Sequence, residues 1–274
     1  MKILICTAFD INIPCAGLNR LTRMSKALRL LGIESLIAIG SGTYEMQGKP
    51  WKLKEQQGQK YVLYDKSLCA VIRHCNAMRI AGNAAMFYKK NLSEIIQRLN
   101  ITGVIVYSPQ YQLLAPLLSI CKFNNVFIIA DCGENYSLSF RHLFNGVIYQ
   151  QFMFRKLQMK KLDGAIISSK RWLVETKNAN IPATIIPGFL DSNDSYRNNA
   201  SLKSDKLQIT FMGKFSGREL PSIIIKALKI CKKNKLNFKL NIVGSINGGW
   251  LEGYWHRKLT RNSYIQNEVN ITGY

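Results

Sequence analysis

Residues 207–234 read "LQITFMGKFSGRELPSIIIKALKICKKN", and they decide the fold. A short apolar, β-branched run (207–213) ends in a glycine, a turn with two cations follows, and a helical pattern begins near Glu219 and runs to about 234. Immediately upstream, "LDSNDSYRNNASLKSDK" (190–206) is polar, rich in Asn and Ser, and has no apolar period, which marks a linker. Downstream come a second strand pattern, "FKLNIVG" (238–244), a helix near 249–261, and a last alternating stretch within "NEVNITGY" (267–274). A strand–helix alternation thus restarts after a linker, as the opening of a second Rossmann-like unit would. Three strands are about half of what a doubly wound sheet uses, so the second unit is expected to be incomplete.

Upstream of the linker the same alternation is longer. "KILIC" (2–6), "ESLIAIG" (34–40), "YVLY" (61–64), "TGVIVYS" (102–108), "NVFIIAD" (125–131), "DGAIISS" (163–169) and "ATIIP" (183–187) are short and mostly continuous in apolar residues, as strands covered on both faces must be. Leu18, Leu21, Met24, Ala27, Leu28 and Leu31 recur at helical spacing, so a helix is predicted over about 19–31 with Gly32 as its stop. Residues 41–60 and 65–101 are less legible, with helices expected around 69–80 and 83–99. Strands joined by right-handed helical crossovers form parallel sheets. The fold class is therefore α/β with two Rossmann-like domains, the second incomplete: 1–188, a linker at 189–206, and 207–274.

The chain has 274 residues, 47% of them hydrophobic, enough for sizeable cores, and a formal charge of +22 from 38 Lys and Arg against 16 Asp and Glu. Such an excess points to a polyanionic partner: a phosphorylated ligand, an anionic membrane surface or nucleic acid. Nucleic acid is not expected, because no helix-turn-helix, zinc module or aromatic RNA-binding strand accompanies the charge. The 7 cysteines form no CxxC pair and several sit in apolar runs, where Cys behaves as a small hydrophobe in a reduced compartment. The 3 histidines are far apart, so no metal site is assigned. "MKILICTAFD" is too short an apolar run for a signal peptide and no later run approaches a membrane span; a cytoplasmic protein is expected.

Ligands of open parallel sheets bind beyond the carboxyl ends of the strands, where backbone N–H groups and helix N-termini face an anion. Two loops qualify. After the first strand, Ala16 and Gly17 lead into a helix start; after 207–212, Gly213 ends the strand while Lys214 and Arg218 place two cations beside a helix N-terminus. Cations there suit a diphosphate, although exposed charges of no special role give the same pattern.

Taken together, these units and turns resemble the two-domain GT-B glycosyltransferases, specifically retaining family 4, over nearly the whole chain. "PCAGLNRLTRMSKALRLLGIESLIAIGSG" is similar to that family's opening, with Ala16 where the first of two glycines usually stands. "IADCGENYSLSF" resembles an Asp-x-x-Glu-x-Tyr stretch of a bacterial branch, matched by Asp131, Glu134 and Tyr136. In "FMGKFSGRELPSIIIKAL" the family usually carries Arg then Lys; Lys214 and Arg218 hold those places with the types exchanged. The resemblance implies a nucleotide-diphosphate sugar donor in the second domain and a lipid-linked or saccharide acceptor at the first. It also implies transfer with retention and no cofactor or bound metal, as in surface polysaccharide or lipopolysaccharide biosynthesis. By the same resemblance, Lys214, Arg218 and Gly213 bind the donor diphosphate, Ala16 and Gly17 form the glycine loop, and Asp131, Glu134 and Tyr136 face the acceptor. The paired-glutamate motif that holds the donor in this family is absent, and the loop "SPQYQ" (108–112) lacks the family's histidine. The competing expectation is a non-catalytic module that keeps an acceptor or membrane surface; a polyanion binder using charge alone comes third.

Arg20, Arg23, Lys26 and Arg29 recur every third residue and are expected to form one stripe along the first helix, and "RKLQMKK" (155–161) and "KALKICKKNK" (226–235) add positive stretches. These read either as solvated surface or as contacts to anionic headgroups on the inner face of a membrane, which makes peripheral attachment the companion expectation.

Overall fold

The computed structural model describes residues 1–8, 16–39, 51–56, 58–64, 77–133, 146–188, 206–212, 221–243, 254, 257–259, 261 and 266–272. Two compact units emerge, Met1–Asp194 and Ser195–Tyr274. In chain order the first contains β1 (Lys2–Thr7), α1 (Ala16–Leu30), β2 (Glu34–Ile39), β3 (Trp51–Gln56), β4 (Gln59–Tyr64) and α2 (Ala77–Leu99). It continues with β5 (Gly103–Tyr107), α3 (Tyr111–Phe123), β6 (Phe127–Cys132) and α4 (Gly146–Met153), the last running into a π-helical turn (Phe154–Gln158) and a 3-10 turn (Met159–Lys161). β7 (Gly164–Ile167), α5 (Leu173–Asn178) and β8 (Ala183–Ile185) complete it.

The strands form one sheet in the order β3-β4-β2-β1-β5-β6-β7-β8. All neighbours are parallel except the β3–β4 hairpin. Alternate residues of each strand serve opposite faces. Leu4, Cys6, Val104, Val106, Ile128 and Ala130 pack with α2 and α3, whereas Ile3, Ile5, Ile37, Ile39 and Ile105 pack with Leu21 and Met24 of α1. That double burial is why the strands are apolar throughout rather than alternating. The thiols share in it: burial pushes Cys6 and Cys132 upward and Cys121 to about 12, so these cysteines stay protonated and inert.

The second unit contains β9 (Leu207–Met212), α6 (Pro221–Lys233), β10 (Phe238–Val243) and β11 (Val269–Thr272), its strands parallel in the order β11-β10-β9. Ile225 and Leu228 of α6 pack on Phe238, Leu240 and Ile242, with Leu259 in the same cluster.

Two expectations about the first unit need correction. One helix, Ala77–Leu99, stands where a break near residue 82 was expected, and the expected start at 69 lies outside the described residues. Gly82 costs about 1 kcal/mol in a helix interior. The apolar face that continues through Phe87, Tyr88, Leu92 and Ile95 buries enough to carry the helix across it. Residues 51–56 form a strand the sequence hid: "WKLKEQ" is an exposed edge whose Lys52, Lys54 and Glu55 keep other chains from pairing with it.

Gly103 opens β5 directly beneath the Phe127 ring, where an added methyl would overlap that ring. Gly103→Ala is expected to cost about 1–3 kcal/mol in urea unfolding. Phe127→Leu in the same chain should recover most of the loss, since the clash is with the ring alone.

Candidate functional site at the carboxyl edge of the first sheet

β1 delivers the chain at Thr7 to the carboxyl edge, and α1 returns from that edge at Ala16. Tyr88 of α2, fully buried, ties the edge together: its hydroxyl accepts from the Thr7 N–H (3.1 Å) and donates to Ala38 O (2.8 Å), with Thr7 O also within 3.0 Å. One side chain therefore fixes the ends of β1 and β2, and the position from which the loop after β1 departs.

Two strands along from β1, Asp131, next to last in β6, faces α1 with no exposure at all. Arg20, one turn into α1, grips it bidentately: Nε donates to Oδ2 and Nη2 to Oδ1, each at 2.8 Å, while Nη2 also donates to Ile186 O at 3.1 Å, just past β8. Burial pushes the Asp131 carboxyl above its ordinary value, and the guanidinium opposes that shift. Hydrogen bonding to Asp131 in turn raises Arg20. Around it the strand ends are laced by backbone bonds, Ser108 N–H to Asp131 O (3.0 Å), Ser168 N–H to Cys132 O (3.2 Å) and Ile186 N–H to Ile167 O (2.8 Å). Ser108 takes a left-handed conformation (φ 51°) to turn the chain out of β5.

The turn after β5 adds amides. Gln150 of α4 accepts the Gln112 N–H at the start of α3 (2.9 Å), while the side-chain oxygens of Gln110 and Gln112 are buried without a partner. Buried acceptors left unpaired are uncommon, and that of Gln112 lies against Gly82 of α2, 3.9 Å from where a Cβ there would stand.

Of the residues singled out in the sequence, Asp131 is next to last in β6, Ala16 opens α1 and Gly17 is buried in the first turn of that helix, one turn before Arg20. Glu134, Tyr136, Gly213, Lys214 and Arg218 lie outside the described residues. The structure corrects the reading of Arg20. It belongs to no solvated stripe, because a three-residue period lags the helix by roughly 60° per step and carries the four cations from one side of α1 to the other. Arg20 precedes the buried Met24 by four residues and so turns toward the sheet; Arg29 donates to Gly58 O. That spacing was available in the sequence. The roles of Tyr88 and the glutamines were not. Among the described residues, no group of His, Cys, Asp or Glu is placed to hold a metal, and no helix is long and apolar enough to cross a membrane.

The architecture is that of the GT-B glycosyltransferases, and solved structures bear this out. A glycosyltransferase from Rickettsia africae is 16% identical, with a TM-score of 0.61 over 99% of this chain and 68% of its own. Sucrose-phosphate synthase from Thermosynechococcus elongatus is 10% identical, TM-score 0.67, over 99% and 70%. Anabaena HepE, solved with UDP and glucose, is 13% identical, TM-score 0.63, over 100% and 69%. At such identities the likeness establishes the fold. No protein-family model matches the chain, and no curated protein matches it significantly.

Removing one partner of the Arg20–Asp131 pair strands a buried charge. Arg20→Ala is expected to cost about 3 kcal/mol in urea denaturation, and Arg20→Met with Asp131→Leu to cost less than either single change. A double variant no better than the singles would show that the two side chains do not act as a pair.

Proposed function

We propose that this chain is a nucleotide-sugar-dependent glycosyltransferase of the retaining, family 4-like GT-B type. It moves a sugar from a nucleoside-diphosphate donor to a lipid-linked or saccharide acceptor in surface polysaccharide or lipopolysaccharide biosynthesis. The observation that carries this reading is the pair of Rossmann-like sheets matching GT-B enzymes over 99–100% of the chain, one of them solved with UDP and glucose. Fold alone does not fix chemistry, so the reading also leans on residue types at defined places.

Residues 213–220 join the carboxyl end of β9 to the amino end of α6, the place in a parallel sheet where anions bind. In this reading Gly213 lets the backbone turn, and Lys214 and Arg218 take the diphosphate. As the glycosidic bond of the donor breaks, negative charge grows on the departing phosphate oxygen. Fixed cations lower that barrier because they are worth more to the leaving group than to the intact donor. Residues 1–188 form the acceptor side, 189–206 the linker and 207–274 the donor side. Ala16 and Gly17 open the helix that faces the acceptor, and Arg20 holds Asp131 rigidly beside the segment carrying Glu134 and Tyr136. The chain works at the cytoplasmic face of a membrane, to which its +22 charge attaches it peripherally.

Incubation with a panel of nucleotide sugars, with and without membranes, should release nucleoside diphosphate, and the product anomer should match the donor's. Lys214→Ala and Arg218→Ala should each lower turnover about 10²-fold or more. No release, with no thermal stabilisation by any nucleotide, would favour instead a module that binds acceptor without turning over donor. For attachment, flotation with phosphatidylglycerol vesicles should fall steeply as salt rises; binding indifferent to salt would defeat the electrostatic account.

A further inference from the structure

In the second unit, α6 covers the sheet with Ile225 and Leu228, and Ile224 and Cys231 lie partly buried alongside them. At about 100° per residue these four side chains span roughly 120° of the helix, which is the arc a surface helix needs against a core. The apolar surface does not stop there. Ile223, Ala227 and Ile230 fall within about 60° of one another on the outer side. All three are exposed, Ile223 to 56% and Ile230 to 60%. Beside them Lys226, Lys229 and Lys233, also exposed, form a second row of about the same width.

A single exposed isoleucine needs no explanation, but a row of apolar side chains running beside a row of cations does. Nothing on this face balances the charge: no Asp or Glu occurs anywhere in 221–243, and among the described residues no carboxylate pairs with Lys226, Lys229 or Lys233. Lys232, about 100° further round toward the core side, is the lysine of this helix that approaches an acid, Glu268 at 3.8 Å. Past the helix, Lys235 takes a left-handed conformation (φ 56°) and the Leu236 N–H reaches Cys231 O at 3.0 Å. Leu236 stands 52% exposed there, a further apolar group at the end where Ile230 and Lys233 lie.

We propose that the outer face of α6 is the surface by which this chain lies on an anionic membrane, with Lys226, Lys229 and Lys233 meeting headgroup phosphates and Ile223, Ala227 and Ile230 entering the boundary with hydrocarbon. The proposal rests on the membrane partner of the proposed function and names the face that meets it. Charge complementarity sets the sign of the partner, since the face carries cations and no acid. The apolar row sets its kind. A nucleic-acid backbone would satisfy the lysines and leave the isoleucines in water, and a small anion needs a concave site, whereas a helix face is convex. A bilayer takes both rows at once, and the 13 residues of α6, about 20 Å long, lie in its plane rather than across it.

The test measures partitioning of the full chain onto mixed phosphatidylglycerol and phosphatidylcholine vesicles by flotation. Changing Lys226, Lys229 and Lys233 together to Gln should weaken partitioning about a hundredfold, as the loss of three headgroup cations implies. Changing Lys89, Lys90 and Lys177 to Gln removes the same charge from exposed positions of the first unit and should weaken it less than about threefold. Ile223→Ser with Ile230→Ser should weaken it about tenfold. Every substituted side chain is exposed, so the unfolding midpoints should stay with the parent's. In Ile230→Trp, brominated phosphatidylglycerol should quench a fluorescence component that the parent lacks. Equal losses from the two lysine triples, partitioning undiminished in Ile223→Ser with Ile230→Ser, or a new indole that brominated lipid leaves unquenched would overturn the proposal. Retention on heparin without binding to vesicles would point to an acidic macromolecule and overturn it as well. Donor turnover without membranes is expected to be unchanged in the α6 variants, whereas a parent that releases no nucleoside diphosphate would leave the vesicle result standing, so the two readings fail separately.

Discussion

A parallel sheet covered by helices on both faces leaves a ligand nowhere to go except the two edges where strands end. In the first unit that constraint is met by an apolar filling on each side, α2 and α3 on one and α1 on the other. The buried charge of Asp131 is therefore confined to a rim, while the polar groups inside the layers, Ser25 and Asn91 among them, are hydrogen-bonded where they stand. Asp131, Tyr88 and the glutamines after β5 stand at the carboxyl rim, and Lys122, Lys160 and Lys161 at the amino rim. The two rims differ in chemistry because backbone N–H groups of the helices that follow strands open toward the first, while helices finish at the second.

The carboxyl rim is held in place by interactions that are local in space and distant in sequence. Arg20 reaches from α1 to Asp131, 111 residues away, and to Ile186 O, 166 residues away. Tyr88 bridges β1 and β2 from the far side of the sheet. A buried ion pair of this kind adds little net stability compared with an apolar replacement, but it specifies one geometry. Its cost is tolerable only because both carboxylate oxygens and the guanidinium are satisfied at once. The consequence is a rigid carboxyl end for β6.

How legible each element was depended on how completely it is buried. Strands such as "KILIC" and "TGVIVYS" declare themselves because both faces are apolar, whereas β10 of the second unit shows as an alternation, with Phe238, Leu240 and Ile242 buried and Lys239 and Asn241 on the other face. β3 was hidden because an edge strand facing water has no apolar signature, and the break expected near residue 82 did not occur because packing outweighs one glycine. At the site, Asp131 was legible from its neighbours "IADCGENY", yet its partner was not, because Arg20 also fits a basic periodicity.

The sequence by itself determined the α/β class, the restart of the alternation after 190–206, and the apolar runs that fill both faces of the first sheet. Each of these follows from short-range pattern and burial. Tertiary structure alone decided that Arg20 closes on Asp131 and that Tyr88 fixes the ends of β1 and β2. The reason is physical: a charge or a hydroxyl looks the same in a sequence whether it faces water or a partner a hundred residues away, and only the fold brings the partner within 3 Å.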